Sequence, residues 1–545
     1  MLRDNYDALR NTDEAPRDRG LAIELVFVEP IAPDVVLARI TEALPGIPVE
    51  VTVVFHGDTD RFHFVDFPDL DAVGREAQAF QFARTLRQTV GAEEANPILT
   101  DSLYGAMAVG AASDESFLSA CETPRVNLSP FGWVHPIIRT PQAWARTRGA
   151  GSTVAVIDTG HSTHQELAGA ILQTGQANFV EGGSDASDRF VSGFLKHPGH
   201  GTLVCSVIAS RGDCDTQGNT SGHGAVTGSA PEADILPIRA IRSVINFTQR
   251  TIPDAIEHAI DQGADVIAMA MGGATRVAAT ERALRDAVDA GLVVVCAAGN
   301  CWPSVVFPAA YAPNGLCTAV AALTNSLTPW GKTGSGPEVT LSAPGENVWG
   351  SAKNKSSDPD HGIRAAQGTT LATSLTAGVA ALWVARHGGR AALKQAADAA
   401  GTTVQAMWVH CATSGLSKPP VWGGSGKLGA GVLDAEKALN TPLPTAPTGT
   451  EARPDAVLPA TGVEPTANIA LTHLANHHPE AAIEFGPDLA DYAGELLWLS
   501  LRAGAKVRAA ETSGLEAPVR PDQPSPALRE ALADKPALRG VVGGL

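Results

Sequence analysis

The sequence predicts an α/β protein, a parallel sheet flanked by helices and preceded by a small α+β domain. Two observations carry this. From about residue 150, runs that are apolar on both faces alternate with stretches of helical spacing, the pattern of a parallel sheet buried under crossover helices. Ahead of that point, strand-like, helical and hairpin-like segments fill roughly the first hundred residues. With 545 residues, 44% hydrophobic and 18% charged, the chain can fill one large core and smaller ones besides.

Taken in order, residues 1–19 read as a flexible charged leader, and residues 20–120 as the α+β domain. LAIELVFVEP (21–30) reads as a strand, and PDVVLARITEALPG after it has helical spacing and ends in Gly46. VEVTVVFHGDTDRFHFVDF (49–67) reads as a hairpin turning near Gly57–Asp60, and residues 71–92 as an amphipathic helix. The main domain, 135–442, offers strands at TVAVID (153–158), ADILPIRA (233–240), ADVIAMAM (264–271), LVVVCAAG (292–299) and CTAVAAL (317–323). Helices fit at TLVCSVIAS, PDAIEHAIDQG and ERALRDAVDAG, the last two stopping at glycine. Residues 443–467 are rich in Pro, Thr and Ala and read as a linker. Residues 468–545 read as a tail with one helix near 488–504 and a mobile, Pro-rich end.

Composition excludes several functions. A net charge of −18 disfavours sequence-independent nucleic-acid binding and adhesion to anionic lipid. The first twenty residues hold no apolar core of a secretory signal, and the longest charge-free run, Ala290 to Gly331, is broken by Pro303, Pro308 and Pro313. No membrane insertion is expected, and seven cysteines without metal-type spacing suit a reduced, cytoplasmic setting.

Ligands of open parallel sheets sit outside the carboxyl ends of the strands, which singles out Asp158 and Asn300. VAVIDTGHSTHQEL around Asp158, HGTLVCSVIAS from His200, VVVCAAGN ending at Asn300 and GTTLAT around Thr370 supply a carboxylate, an imidazole, an amide and a hydroxyl. Those groups suffice for acyl transfer: the carboxylate fixes the imidazole tautomer, the imidazole takes the hydroxyl proton, and the amide donates to the oxyanion.

The stretch from about 135 to 442 resembles the subtilisin-like (S8) peptidase family. Besides those four motifs, GSAPEADILPIRAI, DVIAMAMGG, SVVFPAAYAPNGLCTAVAA, VTLSAPGENVWGS and GKLGAGVLDAEKAL are similar to family segments, which makes nine in the correct order. The resemblance implies a subtilisin-like sheet and an endopeptidase acting on peptides or proteins. It gives catalytic roles to Asp158, His200, Asn300 and Thr370, and substrate binding to Ala270, Met271 and Gly272.

It also marks departures. Thr370 stands at the nucleophilic serine, Leu203 at a usual histidine, Ala270 at a serine and Ser374 at a proline. A threonine keeps the hydroxyl but adds a methyl and stiffens χ1, so activity from weak to absent is expected, or a pseudoprotease that binds peptides or a partner without turnover. Ser374 is a second hydroxyl one helical turn deeper. The α+β domain resembles the family's propeptide in place and size, implying intramolecular inhibition; a separate accessory domain is the other reading.

No metal or other cofactor is expected. His161, His164, His197 and His200 have zinc-like spacing, but His200 belongs to the acyl-transfer set and the rest suit a polar rim. No acidic loop suggests calcium. GGSGKLGAG (423–431) fails as a phosphate loop because Val421 and Leu428 occupy its glycine and hydroxyl positions.

Overall fold

The computed structural model describes residues 1–10, 20–55, 57–72, 75–99, 126–191, 197–242, 244, 249–273, 276–300, 305–448, 465–500 and 523–542. The chain divides into two compact units, one of Met1–Ala120, Ala274–Ala279 and Pro454–Leu545, the other of Cys121–Gly273 and Thr280–Arg453.

The first unit opens on a helix, α1 (Leu2–Leu9), where a flexible leader is expected; residues 11–19 lie outside the described residues. Leu2, Tyr6 and Leu9 share one helical face and are buried, with the Tyr6 ring 6.4 Å from Phe67 and 6.3 Å from Phe82. The apolar face outweighs the charged residues between them. Next come β1 (Leu21–Ile31), α2 (Pro33–Ala43), β2 (Glu50–Val53), β3 (Asp60–Phe67), α3 (Glu76–Val90) and β4 (Glu94–Ile98). The strands pair antiparallel in the order β2-β3-β1-β4, and α3 packs on α1 and α2.

Glu24, in the middle of β1, is fully buried and accepts from the backbone N–H groups of Ala278 (2.9 Å) and Ala279 (2.8 Å). Burial raises its carboxyl above the ordinary range, and those two donors oppose the rise. Arg276 pairs with the buried Glu94 at 2.6 Å, so two acids of the sheet hold residues 276–279.

The described carboxyl-terminal residues, 465–500 and 523–542, belong to this same unit. The helix expected near 488–504 is present at 493–500, and Pro465–His477, Pro479–Glu484, Pro526–Ala531 and Pro536–Val541 add to it; residues 501–522 lie outside the described residues. What fixes them is an ionic knot on α3 that no local pattern announces. Arg84 donates to Glu495 (2.9 Å) and to the Ser525 hydroxyl (3.1 Å), and Glu495 also accepts from the Ser525 N–H (2.6 Å). Glu495→Ala leaves a mostly buried guanidinium and a buried N–H without their partner. The expected loss of unit stability is about 3 kcal/mol, read as faster amide exchange in α3 and β1.

In the second unit β5 (Thr153–Asp158) leads to β6 (Ala177–Asn178), then α4 (His200–Ala209) and a hairpin of β7 (Arg211–Cys214) and β8 (Thr220–Thr227). β9 (Asp234–Arg239), α5 (Ile252–Asp261), β10 (Val266–Met269), α6 (Ala278–Asp289, in this unit from Thr280) and β11 (Val293–Ala297) follow. β12 (Thr318–Leu323), β13 (Leu341–Pro344), β14 (Val348–Ser351), β15 (Ile363–Ala366) and α7 (Thr369–Arg386) complete the part that frames the site.

Seven strands form one parallel sheet in the order β13-β12-β11-β10-β5-β9-β6. The five strands expected from sequence are all in it; β13, within the APG stretch, adds an edge. Chain order reverses at β5, since β9 lies on one side and β10 on the other, which opens a crevice at the carboxyl end of β5. The centre is α7, buried from Thr369 to Val384 with no charge before Arg386. A helix apolar all round is one that has protein on every side.

His135 is an ionisable group inside this core; its Nε2–H donates to the Thr227 carbonyl (2.9 Å) and its Nδ1 accepts from the Thr140 hydroxyl (2.7 Å). Burial pushes its pKa down to about 4. The unfolded chain therefore binds the proton first, so stability is complete above about pH 6.5 and is lost as pH falls toward 4, by about 3 kcal/mol in all. Unfolding of wild type and His135→Gln across that range should show the variant with the shallower slope.

Candidate active site

Two strand ends and two helix starts meet in the crevice. Asp158 is the last residue of β5, and its main-chain carbonyl is fixed by the N–H groups of Ala240 (2.9 Å) and Ile241 (3.3 Å). His200 is the first residue of α4. Gly199 before it has φ 77°, and a Cβ there would lie 1.9 Å from the Lys353 carbonyl oxygen, so only glycine brings the chain into α4 at this angle. Asn300 follows β11, and Thr370 sits in the first turn of α7.

His200 Nδ1 lies 2.8 Å and 3.0 Å from the two carboxylate oxygens of Asp158, whose side chain is 1% exposed. A carboxylate accepts, so Nδ1 carries the hydrogen and Nε2 presents its lone pair. Thr370 Oγ1 is 3.2 Å from that Nε2 and 3.4 Å from the Ala270 carbonyl oxygen. The hydroxyl has one proton, and the imidazole is the nearer and more basic of its two acceptors.

The hydroxyl of Thr369, the residue before Thr370, has a different partner. Thr369 donates to Asn300 Oδ1 from its N–H (2.8 Å) and from Oγ1 (2.9 Å), while Oγ1 accepts from the Gly299 N–H (3.3 Å). With Oδ1 held twice, the Asn300 amide nitrogen points the other way. It lies 2.8 Å from where a Cβ on Gly368 would stand, and Gly368 has φ 137°, so that glycine leaves the amide its room. Sequence reasoning gave Thr369 no role; its adjacency to Thr370 was the available signal.

The structure thus brings Asp158, His200, Asn300 and Thr370 together. Ser374 is fully buried and donates to the Thr370 carbonyl (2.8 Å), which leaves it no path to the imidazole. Ala270 and Met271 are buried beside the site, and the Gly272 N–H is taken by the Val244 carbonyl (3.0 Å). Gly273 exchanges two 2.9 Å bonds with Phe307.

Among the described residues no group of three or more His, Cys, Asp and Glu is arranged to hold a metal. His161 bonds Gln176 (3.2 Å) and His164 bonds the Gly362 carbonyl (2.9 Å). Five cysteines are buried free thiols, with burial raising Cys205 and Cys214; Cys121 and Cys301 lie outside the described residues. Among the described residues no helix is long and apolar enough to cross a membrane.

Behind Asp158 lies a buried cation that sequence reasoning also passed over. Arg239, 1% exposed at the end of β9, donates to the Thr159 carbonyl and forks onto Glu181 at 2.8 Å from both Nε and Nη2. That hydrogen-bonded guanidinium holds the Glu181 carboxyl at about 2.

The subtilase family model matches residues 149–431. Thermitase of Thermoactinomyces vulgaris is 30% identical over 266 residues, 48% of this chain and 86% of thermitase. The intracellular serine protease of Paenibacillus polymyxa is 32% identical over 253 residues, 45% of this chain and 70% of that protein. The major intracellular serine protease of Bacillus subtilis is 30% identical over 228 residues, 40% and 66%. The chain belongs to the subtilase family of serine-type peptidases.

Proposed function

We propose that this chain is a subtilisin-type endopeptidase in which Thr370 is the nucleophile. The observation that carries the reading is the linear relay of Asp158, His200 and Thr370, at 2.8 and 3.2 Å. Thr370 Oγ1 attacks the substrate carbonyl carbon as its proton passes to His200 Nε2, and Asp158 stabilises the imidazolium. The carbonyl oxygen becomes an oxyanion that accepts from the Asn300 amide and from the amino-terminal turn of α7. His200 then gives the proton to the departing amine. Water, activated by the same imidazole, cleaves the ester and restores the hydroxyl.

Ala270 to Gly272 present the edge on which the substrate chain pairs. A peptide that takes the Gly272 N–H must first displace Val244, which favours slow turnover. The amino-terminal unit is the intramolecular inhibitor in this reading, which rests on its place ahead of the peptidase domain and its size.

The test is hydrolysis of casein and chromogenic peptides by wild type and Thr370→Ala, with fluorophosphonate labelling alongside. Turnover and labelling confined to wild type are expected. Equal rates above blank would show cleavage that does not run through Thr370, and no turnover with no capture at residue 370 would leave a site that binds peptide without cleaving it.

A further inference from the structure

One carboxylate that takes no part in the relay touches the neighbours of both its anchored members. Asp188 is 6% exposed, and its Oδ2 accepts from the Thr159 hydroxyl (2.9 Å) and from the Gly199 N–H (2.7 Å). Thr159 follows Asp158, and its own N–H donates to Asp158 Oδ1 at 2.7 Å, the oxygen that faces His200 Nδ1. Gly199 precedes His200, and the Gly201 N–H on its other side donates back to the Thr159 hydroxyl (3.1 Å). The bonds close a ring that runs through Asp188, Thr159 and residues 199–201. The remaining oxygen of Asp188 accepts from the Phe190 N–H (2.7 Å), and its own N–H donates to the His161 carbonyl (2.7 Å), so the carboxylate is anchored as well.

We infer that Asp188 is a positioning residue that sets the separation and angle of Asp158 and His200. Without it, the turn after β5 is tied to the entry of α4 only at the edges of the site, by the Asp158–His200 bond itself, the weaker Gly201 contact and the Ser162–Thr202 hydroxyl pair at 2.8 Å, none of which reaches Gly199. Its negative charge also lies at the amino terminus of α4, where the unpaired N–H groups favour an anion. Arg239 holds the carbonyl of the same Thr159 from the opposite side, so the residue after Asp158 is gripped at its hydroxyl and at its carbonyl. The sequence signal is slight, one aspartate in SDASDRF twelve residues before the HGT motif.

This deepens the proposed function and rests on it for turnover, but the geometry has a readout without turnover. The hydrogen that His200 Nδ1 shares with Asp158 gives a far-downfield proton resonance when the pair is held. We expect Asp188→Asn and Thr159→Val to broaden or lose that resonance, and Thr159→Ser, which keeps the hydroxyl, to retain it. In peptide hydrolysis the first two should lower kcat by about ten- to a hundredfold with KM within a factor of about two, while Thr159→Ser stays near wild type. An unchanged resonance and unchanged kcat in folded Asp188→Asn would overturn the inference and leave the peptidase reading intact. A resonance lost in Asp188→Asn, with no turnover in any protein including wild type, would support the positioning role and sink the peptidase reading instead.

Discussion

Thr370→Ser is expected to raise peptide hydrolysis by on the order of ten- to a hundredfold, chiefly in kcat, and Thr370→Ala to abolish it. The rest of the relay is already assembled. His200 is oriented by both oxygens of Asp158, and Asn300 is locked by Thr369, so a better-placed hydroxyl meets a finished site. A β-branched residue in the first turn of a helix has few χ1 choices, and each places a methyl as well as an oxygen. Thr370 divides its proton between the imidazole at 3.2 Å and the Ala270 carbonyl at 3.4 Å. Serine, free of the methyl, can turn its oxygen toward the substrate carbonyl without driving a carbon into the same space. The measurement is steady-state hydrolysis of one chromogenic peptide by the three proteins, with fluorophosphonate capture rates alongside. A serine variant no faster than wild type would mean that the limit lies elsewhere, the Gly272–Val244 bond being the next place to look.

The parts of the fold that were legible in the sequence are those whose signals are local. Strands such as TVAVID and LVVVCAAG are apolar on both faces, and nothing but a covered parallel sheet accommodates them. Strand-end position likewise places Asp158 and Asn300 at the crevice. What escaped was set by contacts between distant segments. The docking of the carboxyl-terminal helices depends on Arg84 meeting Glu495 and Ser525, a pairing over four hundred residues with no local trace. α1 was hidden by its charges although Leu2, Tyr6 and Leu9 had helical spacing. Glu24 was visible as one acid in an apolar strand, but its partners at 278 and 279 were not. In the site, residue types singled out Asp158, His200, Asn300 and Thr370, which the fold brings together, whereas the groups that contact them or their neighbours, Thr369, Asp188 and Arg239, look like ordinary turn and strand-end residues.

That division gives the second large effect. Asn300→Ala removes the amide that the proposed mechanism assigns to the oxyanion and should lower kcat by about a hundred- to a thousandfold. Thr369→Val keeps the shape and the N–H bond of 2.8 Å but deletes the hydroxyl that grips Asn300 Oδ1 at 2.9 Å. The amide then has one restraint instead of two, and the Gly299 N–H loses its acceptor at 3.3 Å. We expect kcat to fall about tenfold with KM little changed, because the substrate in its ground state does not yet need the donor. The two changes act through one hydrogen bond to one oxygen, so they should not add: Asn300→Ala with Thr369→Val should be as slow as Asn300→Ala alone. Full additivity would show that the Thr369 hydroxyl acts on the reaction by some route other than holding Asn300. Rate loss in Thr369→Val that tracks KM instead of kcat would show that it shapes peptide binding, since an oxyanion donor is felt only once the carbonyl has begun to change.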